Sequence, residues 1–394
     1  MKKHLLISYL VAAGDGISGG TRIHVECTKQ WIKNQTFKSL TVWASNDGYA
    51  ACLRNGVPEK HLKLMDTGLT KRINFWVDYG YRIIKGISLS FFFKLADDNE
   101  TIIYCASDFW ADFFPALIIH LRYRNTSKLV TPIYLFAPRI FMGYDGKPIF
   151  SPKLIIYYIM QNIMMFFARY ISDAVFVTYQ PDIPRLATLN FTKQPQFVIV
   201  GGIEFNETTQ YVKKKKYLYD AIFVGRYHAQ KGIYQLMDIW KNVVDKEKNA
   251  KLAILGNGDP AYIEYIENFI RTNDLSKNIF LLGFKDGAEK YKIFQKTKMY
   301  LNTNLYDAGG MATMEAMSCA LPVVSFDFPN SRSMIGAGAL WAKYLDTRDF
   351  SKQILKMFDN TKMIKTLGSQ ARQDMEKFDW SKTAFRINSY FNSL

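Results

Sequence analysis

The stretch over residues 303–325, TNLYDAGGMATMEAMSCALPVVS, constrains the fold more than any other part of the chain. The apolar strand Lys298-Met-Tyr-Leu-Asn302 leads into it, the Gly309-Gly310 pair turns the chain, the run from Ala312 to Cys319 reads as a short helix, and Pro322 opens a second strand. Strand, loop, helix and strand in that order imply a parallel unit with a right-handed crossover. The glycines expose backbone N–H groups at a helix N-terminus, where aligned peptide dipoles favour an anion such as phosphate. Asp307 and Glu315 flank that turn, one before the glycines and one within the helix, so both can reach a ligand held at the helix start. For an isolated Gly-Gly, a tight turn beside a solvated glutamate is the plainer reading. The rest of the chain has to decide between them.

The second half repeats the pattern. Residues 220–236 read as a strand, a turn holding Gly225 and Gly232, and a helix that begins near Gly232. Arg226 and Lys231 project from that one turn and suit a diphosphate clamp, arginine as a planar fork and lysine as a point charge; the alternative is two solvated surface cations. A strand at 251–255 with the turn Gly256-Asn-Gly258, a helix at 261–273 and a strand at 278–282 ending in Gly283-Phe284 follow. Every candidate site falls at the C-terminal edge of a strand, where open α/β sheets bind ligands.

The first half also alternates strand and helix. Strands are expected at 5–11, 39–44, 101–106, 128–136, 174–178 and 196–200, with helices near 24–34 and 111–123. The charged start and apolar run at residues 1–13 resemble a short signal peptide, but the run passes straight into the glycine-rich loop 14–20 and reads as a buried first strand. Residues 206–216, ending in Lys213-Lys-Lys-Lys216, read as a polar linker between two domains. The most apolar part, 149–174, is interrupted at Gln161-Asn162 and falls short of an uninterrupted spanning run of about 20 residues. It suits either a membrane interface or core packing. Residues 79–94, which interleave Tyr81, Ile83, Ile84 and Phe91 to Phe93 with Arg82, Lys85 and Lys94, are a second candidate for membrane contact.

At 394 residues the chain exceeds one comfortable core and implies two domains. Its 51 Lys and Arg against 35 Asp and Glu give a net charge of +16, so some large surface seeks anions. Nucleic acid is a poor fit to that charge, because no RNP-like, zinc-finger or helix-turn-helix signature accompanies it. The four cysteines are scattered without a C-x-x-C pair, and the five histidines include no H-E-x-x-H, so no metal and no disulfide framework is expected.

These residues resemble the retaining glycosyltransferases of family 4. Gly225-Arg226 with Lys231-Gly232 looks like the family's G-R-x(4)-K-G motif, and Asp307 to Glu315 looks like its E-x(7)-E motif. The run from Glu315 to Val324 is close to E-A-M-A-C-G-x-P-V-V. The resemblance implies an α/β chain of GT-B architecture, with two facing Rossmann-like doubly wound domains and a central cleft. It implies domains over 1–205 and 206–376, with 377–394 a terminal helix returning to the first domain. By the same resemblance Arg226 and Lys231 hold the donor diphosphate, and Gly225, Gly309, Gly310, Met311 and Ala312 contact sugar and phosphate. Glu315 binds the ribose, Phe284 sits by the base, and Gly19 and Gly20 close on the donor phosphates.

Two departures from the pattern stand out. Asp307 replaces the first glutamate, which shortens that side chain by one methylene. The segment 131–138 lacks the histidine that the family carries near its reaction centre; Tyr134 is the residue assigned to that place, with Ser107 and Asp108 lining the acceptor side.

The function expected is transfer of a sugar from a nucleotide diphosphate donor, a UDP-sugar, to a glycan or lipid-linked acceptor, with retention of configuration. Departure of the diphosphate is helped by preorganised cations and backbone amides, not by a metal. No cofactor and no nucleic acid partner are expected. The setting is the cytoplasm, with peripheral contact to the inner face of the membrane. The rival from another class is a catalytically silent family member serving as a scaffold, motivated by Asp307 and the missing histidine.

Overall fold

The computed structural model describes residues 2–11, 19–65, 74–96, 100–212, 216–306 and 310–394. They form two units, each built on one parallel sheet. The first holds Met1–Phe141, Ile149–Gly201 and Trp380–Leu394; the second holds Met142–Pro148 and Gly202–Asp379.

In the first unit the strands are β1 (His4–Tyr9), β2 (Ser39–Ser45), β3 (Leu62–Met65), β4 (Thr101–Cys105), β5 (Ser127–Ile133), β6 (Ala174–Val177) and β7 (Gln196–Val198). Helices α1 (Gly19–Lys33), α2 (Asn46–Arg54), α3 (Phe75–Ser90), α4 (Trp110–Arg122), α5 (Pro152–Ile171) and α6 (Asp182–Thr188) lie between them. The sheet order is β3-β2-β1-β4-β5-β6-β7, with every pairing parallel. β1 and β4 are buried along their whole length, as strands covered on both faces must be, and so their sequences are continuous apolar runs rather than alternations.

The second unit contains β8 (Tyr219–Val224), β9 (Leu252–Leu255), β10 (Ile279–Gly283), β11 (Thr297–Asn302), β12 (Val323–Asp327) and β13 (Ala339–Lys343), in the order β10-β9-β8-β11-β12-β13. Its helices are α7 (Phe205–Thr208), α8 (Ile233–Val244), α9 (Pro260–Thr272), α10 (Gly287–Phe294), α11 (Gly310–Ser318), α12 (Pro329–Met334), α13 (Thr347–Phe358) and α14 (Thr361–Met375). α8 shows how pattern becomes packing: Ile233, Leu236, Met237, Trp240, Val243 and Val244 recur at helical spacing and are all buried. The last helix, α15 (Trp380–Asn392), belongs to the first unit and packs on α1, where Trp31 Nε1 donates to the Ala384 carbonyl at 2.9 Å.

Both sheets run outward from their first strand and then reverse to the fourth. The point of reversal lies between β1 and β4 in one unit and between β8 and β11 in the other, the position at whose C-terminal strand ends open α/β sheets bind their ligands.

Three readings of the sequence change. The expected linker at 206–216 begins instead as α7 and a 3-10 turn with Thr208 and Tyr211 buried; residues 213–215 lie outside the described set. The stretch 79–94 is α3 and its C-terminal turn. There Phe93 is buried, and Arg82 is drawn inside by ion pairs to Asp78 at 2.8 Å and Asp47 at 2.7 Å, leaving Ile84, Phe91 and Phe92 as its large exposed apolar side chains. Finally, α5 runs unbroken for 20 residues through Gln161-Asn162, long and apolar enough to cross a membrane by length and composition, yet Gln161, Met164, Met165 and Ala168 are buried against the first unit.

One buried carboxylate ties the reversal point of the first unit together. Asp112, in the first turn of α4, accepts from the Leu10 amide at 2.6 Å and the Val11 amide at 2.8 Å through one oxygen, and from Ser107 Oγ at 2.5 Å through the other. Burial pushes its carboxyl up to about 7, against the pull of those hydrogen bonds. Because the folded pKa lies above that of an exposed carboxyl, the stability this group contributes is full below about pH 4 and is lost as pH rises to about 7. Asp112→Asn keeps an acceptor for the two amides and cannot ionise, so its advantage over wild type in urea denaturation should grow across that window. Asp112→Ala should lose about 3 kcal/mol by stranding buried amides. An Asn variant with the pH profile of wild type would show that Asp112 does not titrate there.

Candidate active site

In the second unit the site is assembled from glycines that let backbones touch. Gly256, at φ +145°, presses on the turn after β8 so closely that a Cβ there would lie 1.9 Å from the Gly225 carbonyl oxygen. Gly232, at φ +68°, ends the Arg226–Lys231 turn and starts α8; a Cβ there would lie 1.9 Å from the Thr303 carbonyl oxygen. These two positions admit only glycine. Two hydrogen bonds complete the seam, Thr303 Oγ1 to the Lys231 carbonyl at 2.9 Å and the Leu305 amide to the Gln230 carbonyl at 3.0 Å. Tyr344 Oη braces the far side of the loop by donating to the Leu305 carbonyl at 2.7 Å. The structure therefore brings Gly225, Arg226 and Lys231 to the same edge as the loop that leads into α11.

Gly310, at φ +59°, is the first residue of α11, and Met311 and Ala312 follow half-buried. The first amides of a helix have no acceptor within it and point toward whatever stands beyond its N-terminus. Asp307 and Gly309 lie outside the described residues. Glu315 is buried one turn into α11, and its carboxylate meets Lys290 Nζ of α10 at 2.7 Å. Lys290 also reaches Asp286 Oδ1 at 2.7 Å. Burial opposes the Lys290 ammonium, but the two carboxylates outweigh it and its pKa is raised. Phe284 stands exposed after β10, on the loop that leads to α10. Sequence reasoning missed Lys290; its one signal was the four-residue spacing from Asp286 across the start of α10.

His228 lies inside the Arg226–Lys231 turn. Burial lowers its pKa, and the charges of Arg226 and Lys231 lower it further. Its Nδ1 accepts from the Gln230 amide at 3.2 Å, which places the proton of the neutral ring on Nε2. The rings of His228 and Tyr306 both pack on Tyr144, at centroid distances of 6.1 and 5.1 Å. Tyr144 is carried by residues 142–148, which lie within the first unit's sequence but cluster with the second.

In the first unit, a Cβ on Gly20 would lie 2.6 Å from the ring of Tyr134, so helix start and ring are in direct apposition; around Gly19 the space is open. Tyr134 Oη and Tyr104 Oη share a hydrogen bond of 2.7 Å, and burial pushes the Tyr134 phenol well up. Ser107 is engaged by Asp112. Asp108 is buried and accepts from Gln161 Nε2 of α5 at 2.6 Å, and burial pushes its carboxyl up to about 6. Gln161 also donates to the Leu135 carbonyl at 2.8 Å. Asp112 and Gln161 were not among the expected site residues. The interruption of an apolar run by Gln161-Asn162 was the available sign that one amide had a buried partner.

Residues 204–374 match the family described as glycosyl transferases group 1. An uncharacterised glycosyltransferase of Methanocaldococcus jannaschii is 29% identical over 175 residues, 44% of this chain and 48% of that protein. A poly(ribitol-phosphate) alpha-N-acetylglucosaminyltransferase of Staphylococcus aureus is 24% identical over 241 residues, 60% of this chain and 46% of that protein. The alignments thus span about half the length of these curated relatives. Among solved structures, HepE of Anabaena, crystallised with UDP and glucose, superposes over 100% of both chains with a TM-score of 0.71 at 13% identity. That likeness shows the GT-B fold.

The ion pair gives a test of how Glu315 is held. Lys290→Met leaves a buried carboxylate without its ammonium and should cost about 3 kcal/mol, much of it recovered in Lys290→Met/Glu315→Gln. Urea denaturation of the four proteins in the cycle measures it, and losses that simply add would show the pair to be uncoupled.

Proposed function

We propose that this chain, which belongs through residues 204–374 to the glycosyl transferases group 1 family, moves a sugar from a UDP-sugar to a membrane-associated glycan or lipid acceptor in cell-surface polysaccharide or glycolipid synthesis. The observation that carries the reading is the backbone seam between the Arg226–Lys231 turn and the loop before α11. It sets two cations and a helix N-terminus on one edge at the reversal point of the sheet, an arrangement suited to a diphosphate. The nucleotide assignment is supported by HepE, whose structure holds UDP and glucose. The polymer assignment is supported by the poly(ribitol-phosphate) transferase relative.

In the proposed reaction Arg226, Lys231 and the α11 amides stabilise the charge that develops on the departing diphosphate, and no metal ion is required. Glu315 holds the ribose and Phe284 lies beside the base. Asp307, by its place in the motif, orients the donor sugar. Tyr134, Ser107 and Asp108 of the first unit serve the acceptor, whose hydroxyl bonds to the anomeric carbon on the face that the diphosphate leaves; the leaving diphosphate helps to take its proton, and the anomeric configuration is retained. The reaction belongs to the cytoplasmic face of a membrane.

Thermal unfolding against UDP, GDP, dTDP and their sugar conjugates tests this. UDP at about a hundredfold above its dissociation constant should stabilise the fold by about 2.7 kcal/mol. Arg226→Ala should remove that shift and nearly abolish transfer, and Glu315→Ala should weaken nucleotide binding. Full activity in Arg226→Ala would overturn the diphosphate clamp. The absence of any nucleotide shift in wild type would leave a catalytically silent scaffold as the better account.

A further inference from the structure

Most of the exposed large apolar side chains among the described residues fall between Trp76 and Tyr170, on α3, α4, α5 and their connections. On α5 they form a stripe. Ile156, Ile159, Ile163, Phe166, Phe167 and Tyr170 follow helical spacing and are exposed, while Gln161, Met164, Met165 and Ala168 are buried on the opposite side. Phe150, 75% exposed, extends the stripe beyond the start of the helix. α4 packs against both α3 and α5, and the Phe114 and Phe167 rings meet at 5.6 Å, so Ile84, Phe91 and Phe92 belong to the same layer of helices. An apolar surface of this extent is rarely left to water.

Charge identifies what covers it. Residues 149–171 contain no Asp or Glu, and Lys153 and Arg169 stand at the two ends of α5. The Arg169 guanidinium lies 4.8 Å from the ring centroids of both Phe166 and Tyr170, a cation spread over aromatic faces as suits a headgroup boundary. Arg139, Arg124 and Lys94 add exposed positive charge on the flanking segments, which also carry Asp97, Asp98, Glu100, Asp145 and Asp173, while the acidic groups within α3 and α4, Asp78 and Asp112, are buried. A second protein would need acidic and apolar groups matched to this pattern. A bilayer containing anionic lipid offers both at once.

We propose that the outer face of α5, with the exposed apolar residues of α3 beside it, docks this chain on an anionic lipid bilayer, the helix lying in the headgroup layer without spanning it. This rests on the reading of a membrane-associated acceptor and extends it. The inner face of α5 bears the structural consequence. Gln161 holds Asp108 and the Leu135 carbonyl, Tyr157 Oη donates to that same carbonyl at 2.9 Å, and Trp110 Nε1 donates to the Met160 carbonyl at 2.8 Å. One helix thus touches lipid on one side and on the other fixes the loops that carry Asp108 and Tyr134. An acceptor held in the bilayer meets the acceptor side of the first unit without diffusing from solution.

Flotation of the full chain with vesicles tests the docking face. Wild type should partition onto equimolar phosphatidylglycerol and phosphatidylcholine, weakly onto phosphatidylcholine alone, and less as salt rises. Ile159→Glu/Phe166→Glu, at positions 46% and 51% exposed, should lose about tenfold in partitioning. Phe385→Glu, at a position 74% exposed on α15, should not. Both variants should keep the UDP-induced thermal shift of wild type, which shows them folded. Equal partitioning by the double variant, or no binding of wild type to anionic vesicles, overturns the proposal. So does a wild-type dimer in light scattering that the double variant converts to monomer without any vesicle binding. Vesicle binding without a UDP shift would fail the donor site and leave the docking face standing, while a UDP shift without vesicle binding would do the reverse.

Discussion

The second unit depends on a contact between two stretches of main chain. Where the turn after β8 meets the loop after β11, Gly232 lies so close to Thr303 that no side chain fits, and two hydrogen bonds fix the register. Backbone held by backbone loses little further freedom when a ligand arrives, so cations mounted on it are preorganised in a way that long side chains on a free loop are not. The first unit meets the same need at its own reversal point by other means. There a single buried carboxylate, Asp112, gathers the amides after β1 and the hydroxyl after β4. A carboxylate is a stronger acceptor than a carbonyl, but it brings a charge that must be desolvated, and this is why its proton affinity rises.

What could be read in the sequence was whatever is local. The apolar runs gave the core strands of both sheets because strands buried on both faces need no partner to be recognised. The glycines at 232 and 310 marked turns because a positive φ is a local requirement, whereas the approach of Gly232 to Thr303 is not local and could not be read. The amphipathic helices α13 and α14 were passed over, since their charged faces dilute the apolar stripe that Phe350, Ile354 and Met357 nonetheless form. Non-local pairing was invisible. Of the two partners that draw Arg82 inside, Asp78 stands at the local four-residue spacing but Asp47 lies 35 positions away, and the Glu315 that meets Lys290 sits on another helix.

Two aromatic residues outside every motif also close on the candidate site. Tyr144 and Tyr306 pack at 5.1 Å beside His228, whose pKa is held below its usual value by burial and then by the neighbouring cations. A protonated imidazole there would add a third positive charge to the turn, but it would compete with Arg226 and Lys231 for the same solvation. The neutral ring instead accepts from the Gln230 amide and stiffens the turn that presents them.

The placement of Glu315 raises an electrostatic difficulty that Lys290 resolves. A buried, ionised carboxylate one turn inside α11 opposes any anion at the N-terminus of that helix, and in a low-dielectric setting the repulsion is not screened. With Lys290 Nζ at 2.7 Å the pair is close to neutral from outside, so the field at the helix start is set by the peptide dipoles and by Arg226 and Lys231. The carboxylate remains a hydrogen-bond acceptor, since an oxygen paired with an ammonium keeps lone pairs for a hydroxyl. A residue type chosen only to accept from a sugar hydroxyl would have been satisfied by glutamine. A glutamate neutralised by a buried lysine accepts more strongly and orients more firmly, at the cost of a desolvated pair that must be kept together. On this argument α10 belongs to the proposed donor site although no motif residue lies on it.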